Sequence, residues 1–198
     1  TLRTLFPYTT LFRSVSKLLA MLPQNSNAPE DLTIYDLVKQ GRYPYHNLLS
    51  FWSKKDEAIV LESIKKMGLS DEKDRTLGNL SGGQRQRAWI ALALAQNTDI
   101  ILLDEPTNHL DIKYQLEILN LLKDLNEKEN RTIVMVIHDI NHALKYAHNI
   151  IALKDGIIFA QGAKENIIDE NLIKSVFGVS CKLIDSPVCN CKMCVPFI

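Results

Sequence analysis

Apolar residues change their spacing along this chain, and the spacing separates helices from strands. Ser16 to Leu22 reads as a short strand or strand end, closed by Pro23, after which Gln24 opens a polar loop, Asn25-Ser26-Asn27-Ala28-Pro29. Asp31-Leu32-Thr33 opens a helix that Thr33 or Asp31 can cap, with Leu32, Tyr35, Leu37 and Val38 as its apolar contacts. Gly41-Arg42-Tyr43-Pro44 breaks it. Asp56 to Met67 is amphipathic, with Ile59, Val60, Ile64 and Met67 on one side, and Gly68 ends it. Leu77 to Gly83 reads as a loop, and Gln84 to Ala95 as a helix apolar enough for deep burial.

Beyond that point strand and helix alternate. Ile100 to Leu103 and Thr132 to Ile137 are continuous apolar runs, the kind buried on both faces of a parallel sheet. Ile112 to Leu125, with Ile118, Leu122 and Leu125 at helical spacing, lies between them, and Ile140 to Ala147 follows. Ile150 to Leu153 and Ile157 to Ala160 flank the turn Lys154-Asp155-Gly156 and predict a hairpin. Asp169 to Phe177 is a final helix. The pattern is α/β with a helical insertion between Asp31 and Leu77.

Length and charge narrow the class. A chain of 198 residues can bury one substantial core. Lys+Arg and Asp+Glu both total 23, which argues against coating nucleic acid by bulk electrostatics. No apolar run approaches the roughly 20 residues of a membrane-spanning helix, so a membrane role has to come through a partner. Cys181, Cys189, Cys191 and Cys194 crowd one end. C-x-C-x-x-C can be a metal or redox cluster, but small, partly buried thiols in a reducing compartment are the preferred reading. No histidine lies near these cysteines to complete a zinc site, although Cys181 could.

The first residues stand apart. Thr4 to Ser14 matches the in-frame translation of a common sequencing-library adapter, so residues 1–14 are expected not to be native and are set aside from fold reasoning. The domain reading is then a partial α/β domain over 15–165, with a helical subdomain over about 31–95, followed by a helix and cysteine-containing tail over 166–198.

Two segments carry chemistry. Leu80-Ser81-Gly82-Gly83-Gln84 places a Ser-Gly-Gly turn at the start of a helix, where backbone N–H groups, a hydroxyl and the positive end of the helix dipole can meet an anion. Ile101-Leu102-Leu103-Asp104-Glu105-Pro106 ends an apolar strand in two carboxylates at the carboxyl edge of a sheet. One carboxylate can hold Mg²⁺ and the other can activate water. Together they indicate hydrolysis of a nucleoside triphosphate, yet no G-x-x-x-x-G-K-[ST] loop occurs in the sequence.

These segments together resemble the ATP-binding cassette ATPases over nearly everything after Ser14, with five elements in the family's order. Gln24 matches the Q-loop, Leu80–Gln84 the signature, Ile100–Pro106 the Walker B strand, Asn108–Asp111 the D-loop and His138 the switch histidine. The resemblance implies a P-loop NTPase-type core, here lacking the amino-terminal strands and Walker A loop, with a helical subdomain. It implies ATP and Mg²⁺ as cofactors. Asp104 and Gln24 would serve the metal, Glu105 would orient the attacking water, and His138 would hold the γ-phosphate. Ser81, Gly82, Gly83 and Gln84 would bind the triphosphate held by a second, identical subunit, and Asp111 would belong to the contact between the two. Asp111 also stands where it can cap the helix that follows it. Without a Walker A lysine and its N–H nest, most triphosphate affinity is expected to be lost, so the chain as written is expected not to hydrolyse ATP.

Leu22-Pro23-Gln24-Asn25, Gly41-Arg42-Tyr43-Pro44, Arg85-Gln86-Arg87-Ala88-Trp89-Ile90-Ala91 and Val176-Phe177-Gly178-Val179 look like importers of iron(III)-siderophores, haem or cobalamin. That branch implies a bacterial ATPase on the cytoplasmic face of the plasma membrane. It would be bound to a permease pair through the Asp31–Leu77 insertion and served by an extracytoplasmic solute-binding protein, with no nucleic-acid partner. A competing class, the soluble cassette proteins that act on ribosomes, shares Glu105-Pro106-Thr107-Asn108-His109-Leu110-Asp111. Gln84, Gly41-Arg42-Tyr43-Pro44 and Asn141-His142-Ala143 favour the importer. Glu105 argues against a regulatory cassette that binds without turnover.

Overall fold

The structure, a computed structural model, describes residues 6–24, 27–46, 51–108, 110–189 and 191–197, and only the backbone of residues 6–10. Part of the expected polar loop (Asn25-Ser26), the start of the adapter-like segment and position 109 of the D-loop lie outside those residues. The chain divides into two compact units, 1–136 and 137–198.

The first unit is built on three parallel strands in the order β1 (Leu19–Leu22), β2 (Ile100–Asp104) and β3 (Thr132–Val136). Leu22 stands beside Leu103 and Asp104 beside Val136, so the three strands end at a common edge. The strand expected over Ser16–Leu22 is shorter than predicted. Helix α1 (Phe6–Leu18) takes its first three residues, Ser16 Oγ donating to the Phe12 carbonyl at 2.8 Å. Gln96 Nε2 then ties the junction, donating to the carbonyls of Ser16 and Leu19.

The helical insertion forms for local reasons. Thr33 caps α2 (Ile34–Lys39) by accepting from the Asp36 N–H at 3.1 Å. The Gly41-Arg42-Tyr43-Pro44 break is a turn of 3₁₀ helix over Gln40–Tyr45. Helix α3 (Lys54–Lys66) begins two residues before Asp56 because Ser53 and Asp56 form a capping box. Gly68, at φ +63°, ends it as expected. Arg42 is buried and pairs through Nε with Asp56 Oδ1 at 2.9 Å, while its Nη1 donates to the Ala95 carbonyl. Burial pushes the Asp56 carboxyl up, but the bonds from Ser53 and Arg42 outweigh it and hold the group below its ordinary range. Glu57 accepts from Tyr35 and Trp52, which keeps it low, and burial with the Glu57 bond pushes the Tyr35 phenol up to about 12.

Helix α4 (Gly82–Ala95) is buried along Ala88, Ile90, Ala91, Ala93, Leu94 and Ala95, as its apolar run predicts. It packs with α2, α3 and α5 (Ile112–Glu129) around Ile101 and Leu103 of β2. The second apolar run does not behave as expected. On β3, Val134 is 52 % and Val136 49 % exposed. Alternate residues of a strand face opposite sides of the sheet; Ile133 and Met135 lie on the covered face with Ile101 and Leu103, while Val134 shares the uncovered face with Met21, 61 % exposed, on β1.

The second unit holds α6 (Ile140–Tyr146), the hairpin β4 (Asn149–Lys154) and β5 (Ile157–Ala163), the short α7 (Lys164–Ile167), and α8 (Glu170–Phe177), capped by Asp169. Of the predicted turn Lys154-Asp155-Gly156, Lys154 ends β4, and Asp155 and Gly156, both at positive φ, form a two-residue turn. The cysteine tail is not irregular but a second hairpin, β6 (Ser180–Asp185) and β7 (Lys192–Phe197). Cys181 and Cys194 are buried free thiols that pack with Leu144 and Ile173. Cys189 and Cys191 are joined as a disulfide, which corrects the expectation of thiols at those two positions. Among the described residues no three His, Cys, Asp or Glu gather to hold a metal ion, so the metal-cluster reading of the tail finds no support.

Candidate active site

Strands β1 and β2 deliver three predicted residues to one edge. Pro23 and Gln24 follow the last residue of β1, and Asp104 is the last residue of β2 with Glu105 immediately after it. Because Leu22 and Leu103 are in register, Gln24 and Glu105 emerge side by side. Gln24 Nε2 donates to Glu105 Oε2 at 2.9 Å. Asn108 Nδ2 donates to the same oxygen, and the Asn108 N–H to the Glu105 carbonyl at 3.2 Å.

Glu105 has φ +50°, in the left-handed region that non-glycine side chains avoid at a cost of roughly 1–2 kcal/mol. Side-chain chemistry that only glutamate supplies is a reason to keep a residue there. Asn108 went unassigned in the sequence reading beyond its place in the D-loop. Its signal was an amide three residues after Glu105, on the turn that follows β2.

The signature segment forms a helix start more elaborate than a Ser-capped one. Ser81 Oγ accepts from the Gln84 N–H at 3.2 Å, and the Ser81 N–H donates to Gln84 Oε1 at 3.0 Å, a reciprocal capping box. Gln84 Nε2 reaches back to Glu72 at 3.3 Å, so the Gln84 side chain shapes the turn. A Cβ at Gly82 would meet nothing within 4 Å. The fold does not demand glycine there, and the missing side chain leaves open space before the helix's first N–H groups.

Asp111 occupies the cap position of α5, but its side chain makes no cap hydrogen bond, contrary to the capping role expected as an alternative; only its carbonyl accepts, from the Gln115 N–H at 3.0 Å. Gln24, Ser81–Gln84, Asp104, Glu105 and Asp111 all belong to the first unit. His138 belongs to the second. There it precedes Asp139, which caps α6 by accepting from the N–H groups of Asn141 (2.7 Å) and His142 (3.1 Å).

The donor set can be tested against Mg²⁺ and a phosphate. Asp104 offers a carboxylate, and Gln24, whose amide nitrogen is engaged by Glu105, keeps its carbonyl oxygen; hard oxygen donors of this kind suit Mg²⁺. The opened helix start at Gly82 suits phosphate oxygens. The residues present fit both groups.

This set of elements is that of a nucleotide-binding cassette, and comparison with known proteins agrees. The ABC transporter family model matches residues 8–108, and the chain belongs to that family. The chain is 54 % identical over 184 residues to the probable siderophore transport system ATP-binding protein YusV of Bacillus subtilis (strain 168), covering 93 % of this chain and 67 % of that protein. A solved structure described as an inward-facing metal-chelate type ABC transporter superposes with a TM-score of 0.82 at 27 % identity, covering 91 % of this chain and 73 % of that one. The dimeric post-hydrolysis cassette MJ0796, bound to ADP and Pi, superposes at 0.69 with 34 % identity, covering 78 % and 66 %. These likenesses lend no support to the ribosomal class. Among the described residues no helix is long and apolar enough to cross a membrane.

Proposed function

We propose that this chain is the ATP-hydrolysing subunit of an importer for iron(III)-siderophore, or for the chemically related cargoes haem and cobalamin. The observation that carries the reading is the Gln24–Glu105 pair at the strand edge, where a loop amide holds the carboxylate that follows β2. The siderophore transport name of the Bacillus subtilis relative and the metal-chelate type of the solved transporter support the cargo class.

In this reading Asp104 and Gln24 hold Mg²⁺, which neutralises phosphate charge. Glu105 accepts a proton from the attacking water and is held in line by Gln24 and Asn108. His138 donates to the γ-phosphate. Ser81, Gly82 and Gly83 meet the triphosphate carried by a second copy of the subunit, with Gln84 holding their turn, and the uncommitted Asp111 side chain contributes to the contact between copies. The dimeric solved cassette supports that arrangement. The helical segment over about 31–95 docks a permease pair on the cytoplasmic face of the membrane, and an extracytoplasmic binding protein delivers the cargo.

The 198 residues contain no G-x-x-x-x-G-K-[ST] loop, so a chain of these residues alone does not turn over ATP. The adapter-like first fourteen residues play no part in the chemistry. The test is to fuse residues 15–198 behind an added strand and G-x-x-x-x-G-K-[ST] (Walker A) loop and measure Mg²⁺-dependent phosphate release. Turnover by the fusion and none by the unfused chain is the expected result; turnover by the unfused chain, or an inert fusion that binds ATP, contradicts the reading.

A further inference from the structure

Asn141 has no part in the reaction above, yet its side chain is fully committed. Its Oδ1 accepts from the Cys194 N–H at 2.7 Å and its Nδ2 donates to the Cys194 carbonyl at 3.2 Å. Cys194 is the third residue of β7 and stands opposite Leu183 of β6. Its N–H and carbonyl therefore point away from β6, along the hairpin's outer edge, where Asn141 satisfies both as a neighbouring strand would.

The side chain of Cys194 is buried against the thiol of Cys181, and burial, with that neighbour, pushes it up to about 11. It is an inert packing group rather than a reactive one. Asp139 fixes the backbone of Asn141 from the other side through the cap bond. His138, Asp139, Asn141, Cys181 and Cys194 line one depression of about 300 Å³. The chain that carries His138 is thus held at Asn141, three residues on, by the backbone of the last strand.

We propose that Asn141 is a positioning residue that locks the His138 segment onto the carboxyl-terminal hairpin, so that β7 sets where the imidazole stands. The functional meaning rests on His138 being the γ-phosphate contact, but the clasp itself is testable without nucleotide. Truncating Asn141 leaves both backbone groups of Cys194 unmatched, and the loss of a hydrogen bond of this kind corresponds to roughly tenfold faster local opening.

The experiment compares the full chain with Asn141→Ala, Asn141→Asp and Leu183→Ala, following the His138 ring resonances by NMR and amide exchange over residues 137–142. Asn141→Ala is expected to shift the His138 ring signals and speed exchange about tenfold. Asn141→Asp, which keeps the acceptor for the Cys194 N–H, is expected to fall between and gives the reading if the alanine variant does not fold. Leu183→Ala trims packing beside Cys194 while leaving both Asn141 bonds in place, and is expected to shift the ring signals less than Asn141→Ala does. Unchanged His138 signals in both Asn141 variants overturn the proposal, as does an equal shift from Leu183→Ala. Failure of the nucleotide reading registers separately, as unchanged ATP turnover of the Walker A fusion on His138→Ala.

Discussion

The amide of Gln24 donates to the carboxylate of Glu105 across 2.9 Å, joining residues 81 positions apart at the ends of two parallel strands. A hydrogen bond to a charged group contributes about 1.5–3 kcal/mol. Gln24→Ala in the Walker A fusion is therefore expected to lower ATP turnover by about tenfold or more and the melting temperature by a few degrees, Gln24 being exposed and Glu105 half-buried. Phosphate release and a thermal melt on the same preparation check it.

The backbone at Glu105 makes a second, opposite-signed prediction. A left-handed φ of +50° costs a glutamate what it does not cost a glycine. Glu105→Gly is expected to melt at the same temperature as the parent or higher, and Glu105→Ala below Glu105→Gly. Both lose turnover. A glycine variant that melts well below the parent would show that the hydrogen bonds to the carboxylate, not the backbone, govern local stability, and one that melts below the alanine variant contradicts the strain.

The Arg42–Asp56 pair predicts a pH response. Asp56 in the folded chain lies below its ordinary value of 3.8, so its contribution is complete above that value and disappears as pH falls through the lower, folded value. Removing one partner by Asp56→Ala strands a buried guanidinium and is expected to cost about 3–5 kcal/mol, whereas Arg42→Met with Asp56→Leu together costs less, the remaining loss coming from the Ser53–Asp56 cap that the leucine also removes. Denaturant melts at neutral and acidic pH separate the two, and the double variant is expected to lose the acid dependence due to this pair.

Gly41 is fixed by packing rather than by φ. A Cβ there would stand 2.5 Å from the Leu92 carbonyl oxygen and 3.0 Å from the Gln96 nitrogen, both backbone atoms of the α4 end. Gly41→Ala is expected to lower stability by about 1–3 kcal/mol. Gly82→Ala, with open space around it, is expected to change stability far less, by about the few tenths of a kcal/mol typical of surface positions. Its effect should appear instead in the ATP turnover of the dimeric fusion.

Much of this was legible in the sequence, because catalysis by carboxylates needs a strand that ends in them and Ile100–Asp104 is written as such a strand. The capped helix start at Thr33 is equally readable from residue type, whereas Asp169, read as the first residue of its helix, is the cap before it. What escaped was set by partners distant in sequence. The Thr132–Ile137 run is as apolar as a strand covered on both faces, yet only one face of the sheet is covered among the described residues, and Val134 and Val136 stay exposed on the other. The β6–β7 hairpin is not legible in the sequence because the residues between its strands, 186–191, contain no glycine and none of the usual two-residue turn pairs. Helix α5 runs to Glu129 because Lys123–Glu127 and Asp124–Lys128 pairs continue its surface after the apolar positions stop, and Asn130, at φ +54°, ends it.

The central claim is that Glu105 activates water at the end of β2, and one substitution reaches it directly. In the Walker A fusion, Glu105→Gln keeps the side chain's size and removes its basicity. Steady-state ATP turnover is expected to fall by roughly 10²–10⁴-fold while ATP remains bound. A glutamine variant that hydrolyses ATP within about twofold of the parent contradicts the account.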